Sequence, residues 1–140
     1  MLKEKKSYYT DSGGVGFPEF NTLVGDDLVS HEEKIRRLIG GRGNVFEQIE
    51  TIGVKIEEIG PLCGDFKVSD IFVSCSLSLC SDVFLNWGNF EAVDVISLES
   101  LSMFFYDIWF PCADDIYLYD ESFSWILNIT HYGAVLVLRN

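Results

Sequence analysis

Between Lys67 and Arg139 the chain has no lysine or arginine, and that gap excludes more than any motif does. Residues 43–140 hold fifteen Asp and Glu against three Lys and Arg, whereas residues 1–42 hold seven of each sign, so the second part carries the whole net charge of −12. Such a surface repels nucleic acid and anionic membrane and attracts basic proteins, with a reach of about 8 Å in physiological salt. No apolar run approaches the ~20 residues of a membrane helix. The basic start, MLKEKK, is followed by polar residues and glycines where a signal peptide would be apolar, so a cytoplasmic protein is expected. The four cysteines, Cys63, Cys75, Cys80 and Cys112, contain no C-x-x-C pair and, without a secretory context, are expected as free thiols.

What is present is apolar and aromatic: 48% hydrophobic residues over 140 positions are enough for one domain with its own core. Residues 1–26 are rich in Gly, Ser and polar side chains and predict a loosely structured arm, anchored by Phe17, Phe20 and Leu23. Ser30 with Glu33 forms a capping box that predicts a helix from Ser30 to Gly40-Gly41. Asn44 with Glu47 repeats the signal, and Val45, Ile49, Ile52, Ile56 and Ile59 continue it at spacings of three and four as far as Gly60-Pro61.

From Ser69 the period changes to two. Ile71, Val73, Cys75, Leu77 and Leu79 alternate with Phe72, Ser74, Ser76 and Ser78, a largely small and polar face, and predict a strand. Further strands are expected at 83–87 and 92–97, a helical turn at 98–102, a strand over MFFYDIWF, and strands at 115–120, 124–131 and 134–140 joined by hairpin turns. The fold class is therefore α+β: two N-terminal helices within 27–60 packed on a C-terminal antiparallel β-meander over 68–140.

The stretch WFPCADDIYLYDESFSW (109–125) gathers Asp114, Asp115, Asp120 and Glu121 among rings with no basic residue between them. They lack the one-three-five spacing and glycine of a calcium loop, so no metal or other cofactor is expected, and solvated carboxylates on hairpin turns are the better explanation. Carboxylates at the two ends of one strand are too far apart for glycosidase-type acid and base, which leaves Asp107, Asp115 and His131 as a weaker hydrolytic combination. Cys112 with His131 is a conceivable nucleophile pair, but a cysteine beside proline in apolar surroundings is more often inert. Gly40-Gly41-Arg42-Gly43 lacks the preceding strand and following Lys-Ser/Thr of a phosphate loop. Alternation places Tyr117 and Tyr119 with Asp115 on one face of a strand. They either present an aromatic and acidic recognition surface or cover a second apolar layer that includes the helices.

In WFPCADDIYLYDESFSWILNITHYG, an aromatic-Pro segment, Asp-Asp-Ile, an aromatic-Asp pair, Ser-x-Ser-Trp and Thr-His-x-Gly follow one another. This order resembles a group of small bacterial immunity proteins encoded beside polymorphic toxins, including those of contact-dependent growth inhibition. The resemblance implies a non-enzymatic cytoplasmic protein that binds the C-terminal domain of a cognate, often basic nuclease, toxin, with no nucleic-acid or membrane partner. Asp114, Asp115, Tyr117, Tyr119, Asp120 and Glu121 are the candidate contacts. The alternative is an acidic regulatory interaction domain without a toxin partner.

Overall fold

The computed structural model describes residues 1–41, 43–57 and 60–140. Its elements in chain order are α1 (Leu2–Asp11), β1 (Phe20–Leu23), α2 (Asp26–Ile39), α3 (Val45–Ile52), β2 (Val54–Lys55), α4 (Val68–Ser74), β3 (Asp82–Asn86), β4 (Val93–Ser97), α5 (Leu98–Met103), α6 (Phe105–Ile108), β5 (Ile116–Tyr119), β6 (Trp125–Ile129) and β7 (Val135–Arg139). The strands form one antiparallel sheet in the order β1-β4-β3-β5-β6-β7-β2. The most completely buried strands, β5 and β6, lie near its middle, and every residue of both is buried.

That burial follows from helices on both faces. On one side Leu28, Ile35 and Ile39 of α2 and Val45 and Ile49 of α3 pack with Tyr117, Tyr119 and Ile126. On the other, Ile71 and Phe72 of α4, Leu101 of α5 and Phe105 and Ile108 of α6 pack with Leu85, Leu118 and Leu127. Adjacent strand residues point to opposite faces, so a sheet covered twice needs apolar residues at both parities rather than at one.

Local signals place some boundaries. Asn44 caps α3 by accepting the amides of Phe46 at 3.0 Å and Glu47 at 3.4 Å, a contribution of about 1 kcal/mol. Gly40 ends α2 in the left-handed conformation, with φ of 62°. Asp120 sets the β5–β6 turn by accepting from the Ser122 amide at 3.0 Å, and Gly133, with φ of 88°, closes the β6–β7 turn.

Several expectations are corrected. Among the described residues there are six helices rather than two, and they are not confined to the N-terminal part. Residues 1–26 are not a loose arm: α1 docks through Leu2 and Lys5, and β1 pairs with β4 at the sheet edge. The first long helix starts at Asp26, after Gly25, so Ser30 lies inside it. The next ends at Ile52, because Gly53 turns extended and Val54–Lys55 joins β7 as an edge strand. Ile59, the last residue of that periodic series, and Arg42 of the glycine turn lie outside the described residues. The strand expected from Ser69 is instead α4, since Val68, Ile71, Phe72 and Cys75 share a helical face whereas Val73 is exposed. The strand expected over MFFYDIWF contains α6, whose Phe105 and Ile108 continue the apolar stripe of Leu98 and Leu101. The C-terminal run of strands thus starts at Asp82, with α5 and α6 inserted between β4 and β5, and β1 and β2 of the N-terminal part add the two edge strands.

Two polar groups hold α1 in place. Asp94 on β4 is completely buried and accepts from the Leu2 amide at 2.9 Å, the Trp87 indole N–H at 2.9 Å and the Thr22 hydroxyl at 2.6 Å. Lys5 forms a buried ion pair with Asp114, and its ammonium lies 3.6 Å from the centre of the Phe110 ring. Breaking such a pair from one side leaves a charge in the core, so Lys5→Ala should destabilise the fold by about 3–5 kcal/mol in urea titration. A loss below about 1 kcal/mol would show the pair to be solvated.

His31 of α2 is buried with its ring 4.5 Å from Phe84 and 5.0 Å from Phe123, and its Nδ1 is 3.2 Å from the Tyr119 hydroxyl. Burial, then the Lys34 charge, pushes its pKa below the ordinary 6.5, with Asp27 opposing. The stability that neutral His31 provides is complete above 6.5 and declines as pH falls below it, because the unfolded chain binds the proton first. The stability difference between wild type and His31→Gln should therefore shrink between about pH 7.5 and about pH 5.5; a difference independent of pH contradicts a buried neutral imidazole.

Candidate functional site

The antiparallel sheet separates the carboxylates of 109–125 into two groups. Asp114 and Asp115 precede β5, and Asp120 and Glu121 follow it, so they lie at opposite ends of the same strand.

At the first end the acids are occupied. Asp114 is buried against Lys5, and one of its oxygens also accepts from the Phe110 amide at 2.8 Å. Its own carbonyl receives the Trp109 indole N–H at 2.9 Å, which fixes the largest buried ring of the core. Asp115 accepts from the His131 amide at 2.7 Å and stands 2.9 Å from the His131 Nδ1. The structure thus brings Asp115 and His131 together. Asp107 lies on α6 and shares no hydrogen bond with either among the described residues. Cys112, at φ of 65°, meets His131 through its backbone amide, 2.8 Å from the His131 carbonyl. No hydrogen bond joins the thiol to the imidazole among the described residues, so the nucleophile–base contact that activates a cysteine is absent from this arrangement.

The tyrosines do not form an exposed recognition surface. Tyr117 and Tyr119 are buried at 2% and 0% exposure, packed beneath α2 and α3, so the second-layer alternative holds for both. Burial is the leading cause that raises both phenol pKa values, and the Glu50 carboxylate 3.1 Å from the Tyr117 hydroxyl adds to the effect there.

At the second end the acids are open. Asp120 and Glu121 share a cleft of about 340 Å³ with Asp82, the first residue of β3. The β3–β5 register explains the grouping, because Phe84 pairs with Tyr119 and the two strands continue outward to Asp82 and Glu121. A second cleft of about 540 Å³ adjoins it across Cys80, Ser81 and Asp82, bounded by Glu99 and floored by Leu79 and Leu98. A third, about 320 Å³, shares Asp120 and Ser122 with the first and lies along the serine-rich loop after α4. Its one base, Arg139, donates to the Cys75 carbonyl. Asp82, Glu99, Asp120 and Glu121 make no ion pair among the described residues.

Asp120 and Glu121 were candidate contacts from the sequence, whereas Asp82, Glu99 and the loop 76–81, which line the same or adjoining clefts, were not. No local signal pointed to them: β4, α5 and α6 separate β3 from β5, and only the tertiary pairing of these strands brings the start of one to the end of the other. Among the described residues no cluster of His, Cys, Asp and Glu could hold a metal ion, and no helix is long and apolar enough to cross a membrane. No family model, curated protein or solved structure matches the chain.

The open acids act on Cys80. Its thiol pKa is raised by burial first, then by Asp120, and further by Asp82. Replacing both, Asp82→Asn with Asp120→Asn, should lower the thiol pKa and speed reaction with iodoacetamide at fixed pH, as resolved by peptide mass spectrometry. An unchanged Cys80 rate would mean that the cleft field is already neutralised.

Proposed function

We propose that this protein is a non-catalytic immunity protein that binds and neutralises a basic toxin domain in the bacterial cytoplasm. The observation that carries the reading is the set of carboxylates around the clefts at the Asp120 end, which form no ion pair among the described residues. Like charges held together in water repel weakly, yet a basic partner turns the same charges into attraction and faster encounter. Carboxylates there occupy the role that phosphates have in a nuclease substrate, accepting hydrogen bonds from Lys and Arg. The order of residues in 109–133 that resembles immunity proteins supports the same reading. Burial of Trp109, Tyr117, Tyr119 and Trp125 makes those residues part of the fold, and contact falls to Asp120 and Glu121.

Neutralisation in this scheme is steric and electrostatic. The protein covers the toxin's basic substrate surface, with charge setting the association rate and buried contacts setting release. An acidic regulatory domain without a toxin partner would use the same surface, and the partner's identity separates the two.

Co-expression with the toxin domain encoded beside this gene should restore growth and yield a complex that survives gel filtration. Growth arrest without a complex would refute the immunity role.

A further inference from the structure

The larger of the two adjoining clefts lies between the segment 79–82 and the first turn of α5. Its floor is apolar, from Leu79 and Leu98, and its rim carries Asp82 and Glu99. The hydroxyl oxygen of Ser102 in its wall is shielded from solvent and has no hydrogen-bond partner among the described residues. On the other side of Cys80, Ser81 and Asp82 lies the adjoining cleft, floored by Phe84 and Val95 and rimmed by Asp82, Asp120 and Glu121. Each cleft therefore combines an apolar base with carboxylates at its mouth, and Asp82 serves both.

A long cationic side chain has the complementary build, with a methylene stem that prefers apolar surface and a charged head that prefers carboxylates. We infer that the paired clefts on either side of Cys80–Asp82 are a docking site for one basic segment of a protein partner, which inserts two Lys or Arg side chains, one per cleft. One head is held by Asp82 and Glu99, and the other by Asp82, Asp120 and Glu121. An acidic or apolar segment would leave the rim charges without partners. Leu79, 67% exposed on the segment that leads into Cys80–Asp82, supplies an apolar contact for the residue between the two bases. The inference rests on the preceding interaction reading for the existence of a protein partner, and adds where the partner sits and what it presents.

The test uses the full chain and a short probe, acetyl-Gly-Lys-Leu-Lys-Gly-amide, followed by amide chemical shifts in ¹⁵N-labelled protein. Saturable shifts should concentrate at 79–82, 97–102 and 120–122. The variant Asp82→Asn, Glu99→Gln, Asp120→Asn, Glu121→Gln should weaken binding by about tenfold or more. Removing the same charge from exposed positions elsewhere, through Glu33→Gln, Glu47→Gln, Glu57→Gln and Glu91→Gln, should change it by less than about twofold. Shifts centred elsewhere, or equal losses in both variants, would overturn the docking site. Peptide docking at the clefts without toxin rescue would end the immunity reading and leave the site standing. Toxin rescue with the peptide bound elsewhere would do the reverse.

Discussion

The sheet is covered by helices on both faces, and that constraint decides what every charged residue near it can do. A carboxylate on a doubly covered strand must find donors, since an unpaired charge in the interior costs several kcal/mol. Asp94 is such a residue, and it is surrounded by the Leu2 amide, the Trp87 indole and the Thr22 hydroxyl. Asp114 meets the same demand with Lys5, whose hydrocarbon stem and ammonium lie against Phe110. Both contacts recruit α1, so the polar requirements of the sheet organise the first helix of the chain.

Where strands end, the constraint lifts. Asp82, Asp120 and Glu121 stand at the margin of the sheet, where water screens their repulsion; Asp120 accepts from Ser122 in its own turn, and none of the three has a cationic partner among the described residues. The stretch 109–125 is therefore two chemical regions joined by one strand: a structural end, tied to Lys5 and His131, and an open end available to another molecule. This division gives the immunity proposal a definite surface and removes Asp114, Tyr117 and Tyr119 from it.

The sequence was most legible where a local signal sufficed. Asn44 announces α3, and the apolar runs at 83–86, 93–97, 116–119, 125–129 and 135–139 became strands. It was least legible where a segment satisfied two periods at once. Ile71, Val73, Cys75, Leu77 and Leu79 alternate, but Val68, Ile71, Phe72 and Cys75 also form a helical stripe, and packing on the sheet selected the helix. In MFFYDIWF the aromatic content favours a strand, whereas Leu101, Phe105 and Ile108 bury one helical face. The first helix carries almost no apolar pattern, because its buried members are Leu2 and Lys5 and the Lys5 partner lies 109 residues away. Half of the open site was equally hidden, since Asp82 and Glu99 join Asp120 only through tertiary pairing.

The central claim is that carboxylates of one composition divide into fold and interface by their position on the sheet. Single neutralisations at Asp94 and Asp114 on one side, and at Asp82, Asp120 and Glu121 on the other, measured together for urea stability and for association rate with the toxin domain, test it directly. The account predicts that the first pair loses about 2 kcal/mol or more of stability. The second group should keep its stability within about 0.5 kcal/mol and associate more slowly, with a weaker dependence on salt. Equal stability losses in the two groups, or association untouched by the second, would contradict it.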